Sequence, residues 1–380
     1  MSENSLKQLH DAGVSIWLDY IDRTMLRNGD LQKRIDEESL TGMTSNPTIF
    51  EKALAEGSAY DDQLRSAEGS FTAMELFERI ATSDVRDACD IFRPVYDATN
   101  GDDGYVSIEV SPGAANDATA TVSEAARLWA AVDRPNVMIK IPGTVEGAKA
   151  VRQTTAAGIN VNITLLFSLD AYQSVIDAYM GGLEDRVKAG KDIKRIHSVA
   201  SFFVSRVDTE VDKRLDAVIA KDTSRKAALD SLHGKAAIAN AKLAYELFQK
   251  EIASPRWKAL EAKGATLQRP LWASTSTKNP AYRDVMYVEE LIGPHSVNTL
   301  PPATIIAFKD HGKVERTVDK DYDAARKIIA DLEANAIRMN DVTDKLLADG
   351  LASFQKSFDT LLAGLRDKTK KLGKELIASA

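Results

Sequence analysis

The chain has a single cysteine, Cys89, among 380 residues. One thiol can form neither an internal disulfide nor a cysteine-based zinc cluster, and a buried inert thiol is the expected state of Cys89. Histidine is also scarce. His10, His197, His233, His295 and His311 show no His-x-x-x-His spacing, so structural or surface roles are expected of them and no metal site. A basic excess is missing too: Lys and Arg number 49 against 56 Asp and Glu, a formal net charge of −7. That balance argues against a general nucleic-acid partner, yet a few local cations can still hold an anionic small substrate. No apolar run approaches the roughly 18–20 residues that span a bilayer. The segment Met1-Ser-Glu-Asn-Ser-Leu-Lys-Gln-Leu-His10 has neither a basic stretch nor an apolar one of the kind a secretory leader carries. A cytoplasmic protein without a membrane partner is therefore expected. Neither Gly-x-Gly-x-x-Gly nor Gly-x-x-x-x-Gly-Lys occurs, which removes the usual sequence support for a nucleotide-binding open sheet. Gly181-Gly182 reads as a turn or helix interruption rather than a phosphate cradle. Sustained heptads and low-complexity tracts are absent.

What remains is an ordinary globular composition, 44% hydrophobic and 28% charged, able to bury a sizeable core. Short apolar runs alternate with longer helical patterns, the rhythm of parallel βα units. Eight strands are predicted: Val14–Asp19, Thr41–Ser45, Tyr105–Val110, Val137–Ile141, Asn160–Phe167, His197–Val204, Leu267–Ala273 and Val297–Leu300. Eight strands joined by helices fit a single (β/α)8 barrel, whose active site gathers at the C-terminal ends of the strands. Two connections, Pro47–Gly104 and Arg206–Thr266, are too long for one helix each and imply additional helices. In the second, Val207, Val211, Leu215 and Val218 mark one amphipathic face. Beyond the last strand, Tyr322–Ile337 and Asp341–Asp367 read as helices. Leu347, Leu351, Phe354, Phe358, Leu361 and Leu365 form a stripe there at spacings of three and four, a packing face against the parent domain. The expected organisation is a catalytic barrel over residues 1–310 and a helical C-terminal extension over 311–380.

The segment Asn136-Val-Met-Ile-Lys-Ile-Pro-Gly-Thr144 sets one lysine, Lys140, among aliphatic residues of a strand. Apolar burial disfavours an ammonium ion, and a neutral amine is the nucleophile that forms a Schiff base with a ketone or aldehyde. A structural, ion-paired lysine is the alternative. Other strands also carry polar residues in apolar surroundings: Asp19, Asn46, Glu109, Asn162 and Thr164. Asn162 and Thr164 stand two apart, so a strand points both to one side, the barrel interior. A Schiff-base aldolase needs this inventory. The lysine attacks the ketone, a base removes the proton of the hydroxyl beside the breaking C–C bond, and an acid/base group serves carbinolamine and imine formation. Amides and hydroxyls hold the polyol chain.

Together with Leu40-Thr-Gly-Met-Thr-Ser-Asn-Pro-Thr48 and Gly158-Ile-Asn-Val-Asn-Ile-Thr-Leu-Leu-Phe-Ser168, the lysine segment strongly resembles the transaldolase family, from about Val14 to Leu300. The resemblance implies transfer of a dihydroxyacetone unit between sugar phosphates. Sedoheptulose 7-phosphate and glyceraldehyde 3-phosphate would become fructose 6-phosphate and erythrose 4-phosphate, in the non-oxidative pentose phosphate pathway. It implies Lys140 as the Schiff-base residue, Asp19 as the base at cleavage, and Glu109 as acid/base through a water positioned by Thr164. Asn46 and Asn162 would hold the dihydroxyacetone portion. Ser201-Phe-Phe-Val-Ser-Arg206 resembles the family's phosphate-binding segment, with Ser201 and Arg206 as ligands. Ser274 and Lys278, in Trp272-Ala-Ser-Thr-Ser-Thr-Lys-Asn-Pro280, would add a serine and a basic residue at a spacing that departs from the shorter Ser-x-Arg of some members. No cofactor and no metal are implied, and a monomer or homodimer is expected. Two alternatives use the same scaffold: a fructose 6-phosphate aldolase, which releases dihydroxyacetone, and a non-catalytic sugar-phosphate-binding barrel. The resemblance associates a glutamate at position 109 with transfer and a glutamine with release.

Overall fold

Residue parity along eight short strands organises the molecule, which we describe from a computed structural model covering residues 4–55, 57–66, 70–373 and 376–377. Met1–Glu3 of the segment read for a leader, and parts of the extreme C-terminus of the expected extension, lie outside the described residues. The strands are β1 (Val14–Asp19), β2 (Leu40–Thr44), β3 (Tyr105–Glu109), β4 (Val137–Pro142), β5 (Val161–Leu166), β6 (Ser198–Phe203), β7 (Gln268–Ala273) and β8 (Ser296–Leu300). Each pairs in parallel with its sequence neighbour, and β8 pairs with β1, so the sheet closes into the (β/α)8 barrel that the βα rhythm predicts.

Helices occupy the connections. The helix α1 (Ser5–Asp11) precedes β1; α2 (Arg23–Asn28) and α3 (Asp30–Glu38) follow it. The long 47–104 connection holds α4 (Pro47–Ala55), α5 (Asp61–Ser66) and α6 (Ala73–Ala98). Single helices α7 (Ala118–Val132), α8 (Val145–Ala157) and α9 (Leu169–Lys188) follow β3, β4 and β5. After β6 come α10 (Ser205–Lys221), α11 (Lys226–Asp230), α12 (Ala236–Ile252) and α13 (Pro255–Glu261). Then α14 (Met286–Glu289) leads to β8, and α15 (Pro302–His311), α16 (Tyr322–Ala334) and α17 (Met339–Lys371) close the chain.

Alternation divides each strand between two cores. Ile16, Leu18, Val106, Ile108, Val137, Ile139, Ile141, Val161 and Ile163 pack outward with the helices in the main core. Residues of the other parity, Trp17, Tyr105, Met138, Val199, Leu271 and Val297, form a separate cluster that fills the barrel. Gly42 is required at this level: a Cβ there would stand 2.5 Å from Trp17 Nε1. Below, Trp17 Nε1 donates to Asp103 at 2.8 Å, Ser15 Oγ donates to the same carboxylate, and Arg269 donates to Ser15 Oγ at 2.7 Å. A polar plug thus seals the N-terminal end of the barrel, and chemistry is left to the other end.

The β1 exit is pinned by a buried ion pair. Arg23 and Asp84 are 1% and 0% exposed, with Nη2 2.6 Å from Oδ1, and Tyr60 donates to Oδ2 at 2.9 Å. The guanidinium also lies 4.2 Å from the Tyr60 ring centroid. Cys89 is fully buried, and burial pushes its thiol far above the ordinary value, as an inert structural thiol requires.

One sequence expectation fails here. Gly181 and Gly182 neither turn nor interrupt a helix; both lie inside α9. A Cβ on Gly182 would stand 2.6 Å from the Arg152 carbonyl oxygen and the Thr155 Cβ. The glycines let α9 approach α8, a role that only the tertiary contact reveals. The predicted stripe on α17 does pack: Phe354, Phe358, Leu361 and Leu365 are buried. Phe358 meets Phe77 edge-on at 5.6 Å, Thr48 Oγ1 bonds Ser357 Oγ at 2.9 Å, and Lys368 donates to the Leu54 and Gly57 carbonyls. These contacts brace α17 against α4 and α6.

Candidate active site

The inward parity that fills the barrel with hydrophobic residues lower down turns polar at the C-terminal strand ends. A cavity of about 600 Å³ opens there, lined by Asp19, Thr44, Glu109, Lys140, Thr164, Ser201, Phe203 and Thr299 from the strands. Register puts Glu109, Lys140 and Asn162 at one level on β3, β4 and β5. Lys140 Nζ stands 3.2 Å from Glu109 Oε2 and 3.4 Å from the Ser45 carbonyl oxygen. The aliphatic neighbours of Lys140 in sequence, Ile139 and Ile141, face the helices instead. Its real surroundings are two carboxylates and a carbonyl.

Burial pushes the carboxyl of Glu109 above the ordinary range; Lys140 opposes that and Asp19 reinforces it. Asp19 is likewise raised by burial, against the pull of Lys140, the hydrogen bond from Thr44 and the more distant Lys278 and Arg206. Thr44 Oγ1 donates to Asp19 Oδ1 at 2.9 Å and lies 2.9 Å from Thr299 Oγ1, which fixes the carboxylate. Burial holds both carboxyls toward their protonated forms, and Glu109, at hydrogen-bond distance of Lys140 Nζ, is placed to exchange a proton with it.

Asn46 lines the cavity, and its Oδ1 accepts from the Ile49 backbone N–H at 3.0 Å, so the amide nitrogen is its remaining hydrogen-bonding group. Asn162 does not reach the cavity wall. It is completely buried; Nδ2 donates to Ser107 Oγ at 3.0 Å and Oδ1 accepts from Ser201 Oγ at 2.7 Å. Ser201 does line the cavity, so Asn162 stands directly behind it. Thr164 lies on the wall two residues beyond Asn162.

Arg206 opens α10 from the end of β6. Its guanidinium is 5.1 Å from the Phe203 ring centroid, and no carboxylate among the described residues reaches salt-bridge distance of it. Burial disfavours its charge and Asp19 restores part of that. Such a fork of free donors facing a cavity is suited to a phosphate. Ser274, at φ 56° and thus in the left-handed region, bonds Ser205 through both its hydroxyl and its carbonyl, at 3.0 Å each. Lys278 Nζ donates to Ser276 Oγ at 2.7 Å, and Ser274, Ser276 and Lys278 all line the cavity.

Sequence reading missed Thr44, Ser276 and Lys52, and with them a whole wall: Gly350, Ser353 and Phe354 of α17. Among the described residues no group of three or more His, Cys, Asp or Glu side chains is placed to hold a metal ion, and no helix is long and apolar enough to cross a membrane.

Residues 16–365 match the sequence family described as Transaldolase/Fructose-6-phosphate aldolase. The chain is 48% identical to a transaldolase of Trichodesmium erythraeum over 377 residues, which cover 98% of this chain and 99% of that one. It is 49% identical to a transaldolase of Frankia alni, over 97% of this chain and 99% of the other. With a transaldolase of Thermobifida fusca it shares 51% over 359 residues, 94% of this chain and 96% of that one.

Proposed function

Since the chain belongs to the Transaldolase/Fructose-6-phosphate aldolase family, we propose that this cavity carries out transaldol transfer through a Schiff base on Lys140. The reaction moves a dihydroxyacetone unit from sedoheptulose 7-phosphate to glyceraldehyde 3-phosphate, giving erythrose 4-phosphate and fructose 6-phosphate, a step of the non-oxidative pentose phosphate pathway. The observation that carries the assignment is the contact of Lys140 Nζ with Glu109 Oε2 at 3.2 Å, on adjacent strands inside the cavity.

The chemistry follows from that contact. Glu109, whose carboxyl burial favours in its protonated form, takes a proton from the Lys140 ammonium and frees the amine. The amine adds to the donor ketone, and the same carboxyl returns the proton, through a water beside Thr164, to the carbinolamine hydroxyl, which leaves as water. Asp19, oriented by Thr44, accepts the proton of the hydroxyl next to the scissile bond as the electron pair moves into the iminium. The first aldose leaves and the three-carbon enamine stays on Lys140. A second aldehyde then accepts that electron pair, the steps run in reverse, and water releases the new ketose. Asn46 holds the dihydroxyacetone hydroxyls through its amide nitrogen, and Asn162 supports Ser201 from behind. Arg206, with Ser274 and Lys278, takes the phosphate, and Ser201 joins them once its hydroxyl turns from Asn162.

Glu109 favours transfer over release of dihydroxyacetone. No cofactor is needed, because the iminium is itself the electron sink. The acidic balance and the single buried cysteine fit a cytoplasmic enzyme without a nucleic-acid partner; we take it to work as a monomer or homodimer. Residues 1–310 make the catalytic barrel and 311–380 the helical extension packed on it.

Borohydride trapping with fructose 6-phosphate, followed by peptide mass spectrometry, tests the reading. A reduced three-carbon adduct on Lys140 is the expected result. Folded protein without any adduct would leave only a sugar-phosphate-binding barrel.

A further inference from the structure

Glycine in a helix interior is unfavourable relative to alanine, because it loses more backbone freedom on folding. Two glycines interrupt the 33 residues of α17, and they differ in their surroundings. Gly364 is exposed, and a Cβ there would meet nothing within 4 Å. Gly350 is buried and faces the cavity: a Cβ there would stand 3.1 Å from Leu165 Cδ2 and 3.8 Å from Arg206 Nη1. Leu165 is itself held at φ 59°, a conformation that costs a leucine energy, where the β5–β6 register shifts. On another side Arg206 meets the Phe203 ring at 5.1 Å. The guanidinium therefore runs between an aromatic ring and bare helix backbone, which leaves its donors uncovered.

We propose that Gly350 is a positioning residue for phosphate recognition: by lacking a side chain it lets α17 close against Leu165 and Arg206 and keeps the guanidinium open to the substrate's phosphate. The inference deepens the proposed function and rests on its assignment of Arg206. The wall is held in place, since α17 is tied to α4 through Thr48–Ser357 at the cavity's edge and through Lys368 farther along the helix. A side chain at 350 thus cannot be relieved by letting the helix drift: a Cβ makes Leu165 give by a few tenths of an ångström from 3.1 Å and lies in van der Waals contact with the arginine at 3.8 Å, covering part of its free edge.

Kinetics on the full-length enzyme test this, with inorganic phosphate as a competitive probe. Arg206→Ala should weaken phosphate inhibition and raise KM for fructose 6-phosphate by about 10- to 100-fold. Gly350→Ala should raise the phosphate inhibition constant and KM by about two- to fivefold, with kcat little changed. Gly350→Leu should approach the Arg206→Ala values and add nothing further in an Arg206→Ala background. Gly364→Ala should raise Tm and leave phosphate inhibition unchanged. A normal inhibition constant in folded Gly350→Ala, with Arg206→Ala impaired, overturns the role of Gly350 alone. Unchanged phosphate inhibition in Arg206→Ala overturns the phosphate assignment on which it rests. If Gly350→Leu does not fold, the alanine variant decides.

Discussion

Replacing Asp208 by asparagine isolates the charge that anchors the first turns of α10, two residues beyond Arg206. Asp208 is 1% exposed; Oδ1 accepts from the Ala237 backbone N–H at 2.7 Å and Oδ2 from the Tyr287 hydroxyl at 2.8 Å. Burial pushes its carboxyl from 3.8 up to about 6, against the pull of those hydrogen bonds. An asparagine keeps the shape. Its oxygen accepts from Ala237, and its amide donates to a Tyr287 hydroxyl turned the other way. Below pH 3.8 the aspartate is protonated in both folded and unfolded chains and imposes no cost. Between 3.8 and about 6 the unfolded chain has lost the proton and the folded one keeps it, so stability falls as pH rises. Each pH unit is worth about 1.4 kcal/mol, so the full cost, reached above the folded value, is about 3 kcal/mol. The variant never incurs it. Urea unfolding of both proteins at several pH values should show Asp208→Asn gaining about 3 kcal/mol on the wild type between about pH 3.5 and pH 7. A difference that stays flat across that window refutes the argument, because it means the buried carboxyl titrates like a free one.

Lys140→Ala should lose transfer activity and borohydride trapping while keeping the circular dichroism of the folded enzyme; loss of global folding would mark the lysine as structural. Glu109→Gln removes the proton acceptor beside Lys140 and should lower kcat by about 10²–10⁴-fold. In the wild type the acid limb of the kcat–pH profile should lie above the ordinary carboxylate value of 4.5, since burial raises Glu109 and the ionised form is the acceptor. An acid limb at or below 4.5 contradicts that role. Asp84→Ala leaves Arg23 charged and unpartnered in the core and should cost about 3–5 kcal/mol in urea unfolding. The Arg23→Met, Asp84→Leu double variant should cost less, and an equal or greater loss would contradict the desolvation account.

The strands were readable because each is short, apolar and bounded by turn residues; β1 keeps its predicted ends and β2 moves by one residue. Lys140, Glu109 and Asp19 stood out because a charged residue inside an apolar strand is conspicuous. What escaped was everything that depends on contact across the fold. Thr44 orients Asp19 only because register sets the two opposite each other. Asn162 lies behind Ser201 rather than on the wall, since both hydrogen-bonding ends of its amide are used in the next layer. Gly182 and Gly350 answer to neighbours in other elements, α8 for one and β5 and α10 for the other, which no local pattern encodes. One signal was available for α17: a glycine beside Leu351 in the predicted stripe, where helix propensity alone would favour almost any other residue.

The bracing of α17 on α4 gives the enzyme an order of completion during its synthesis. The ribosome has made every strand and Lys140 by Leu300, but the α17 wall of the cavity arrives only from Met339 onward. Until then Lys140 lacks the wall that Gly350, Ser353 and Phe354 supply. The floor of the cavity is synthesised first and its last wall only at the end.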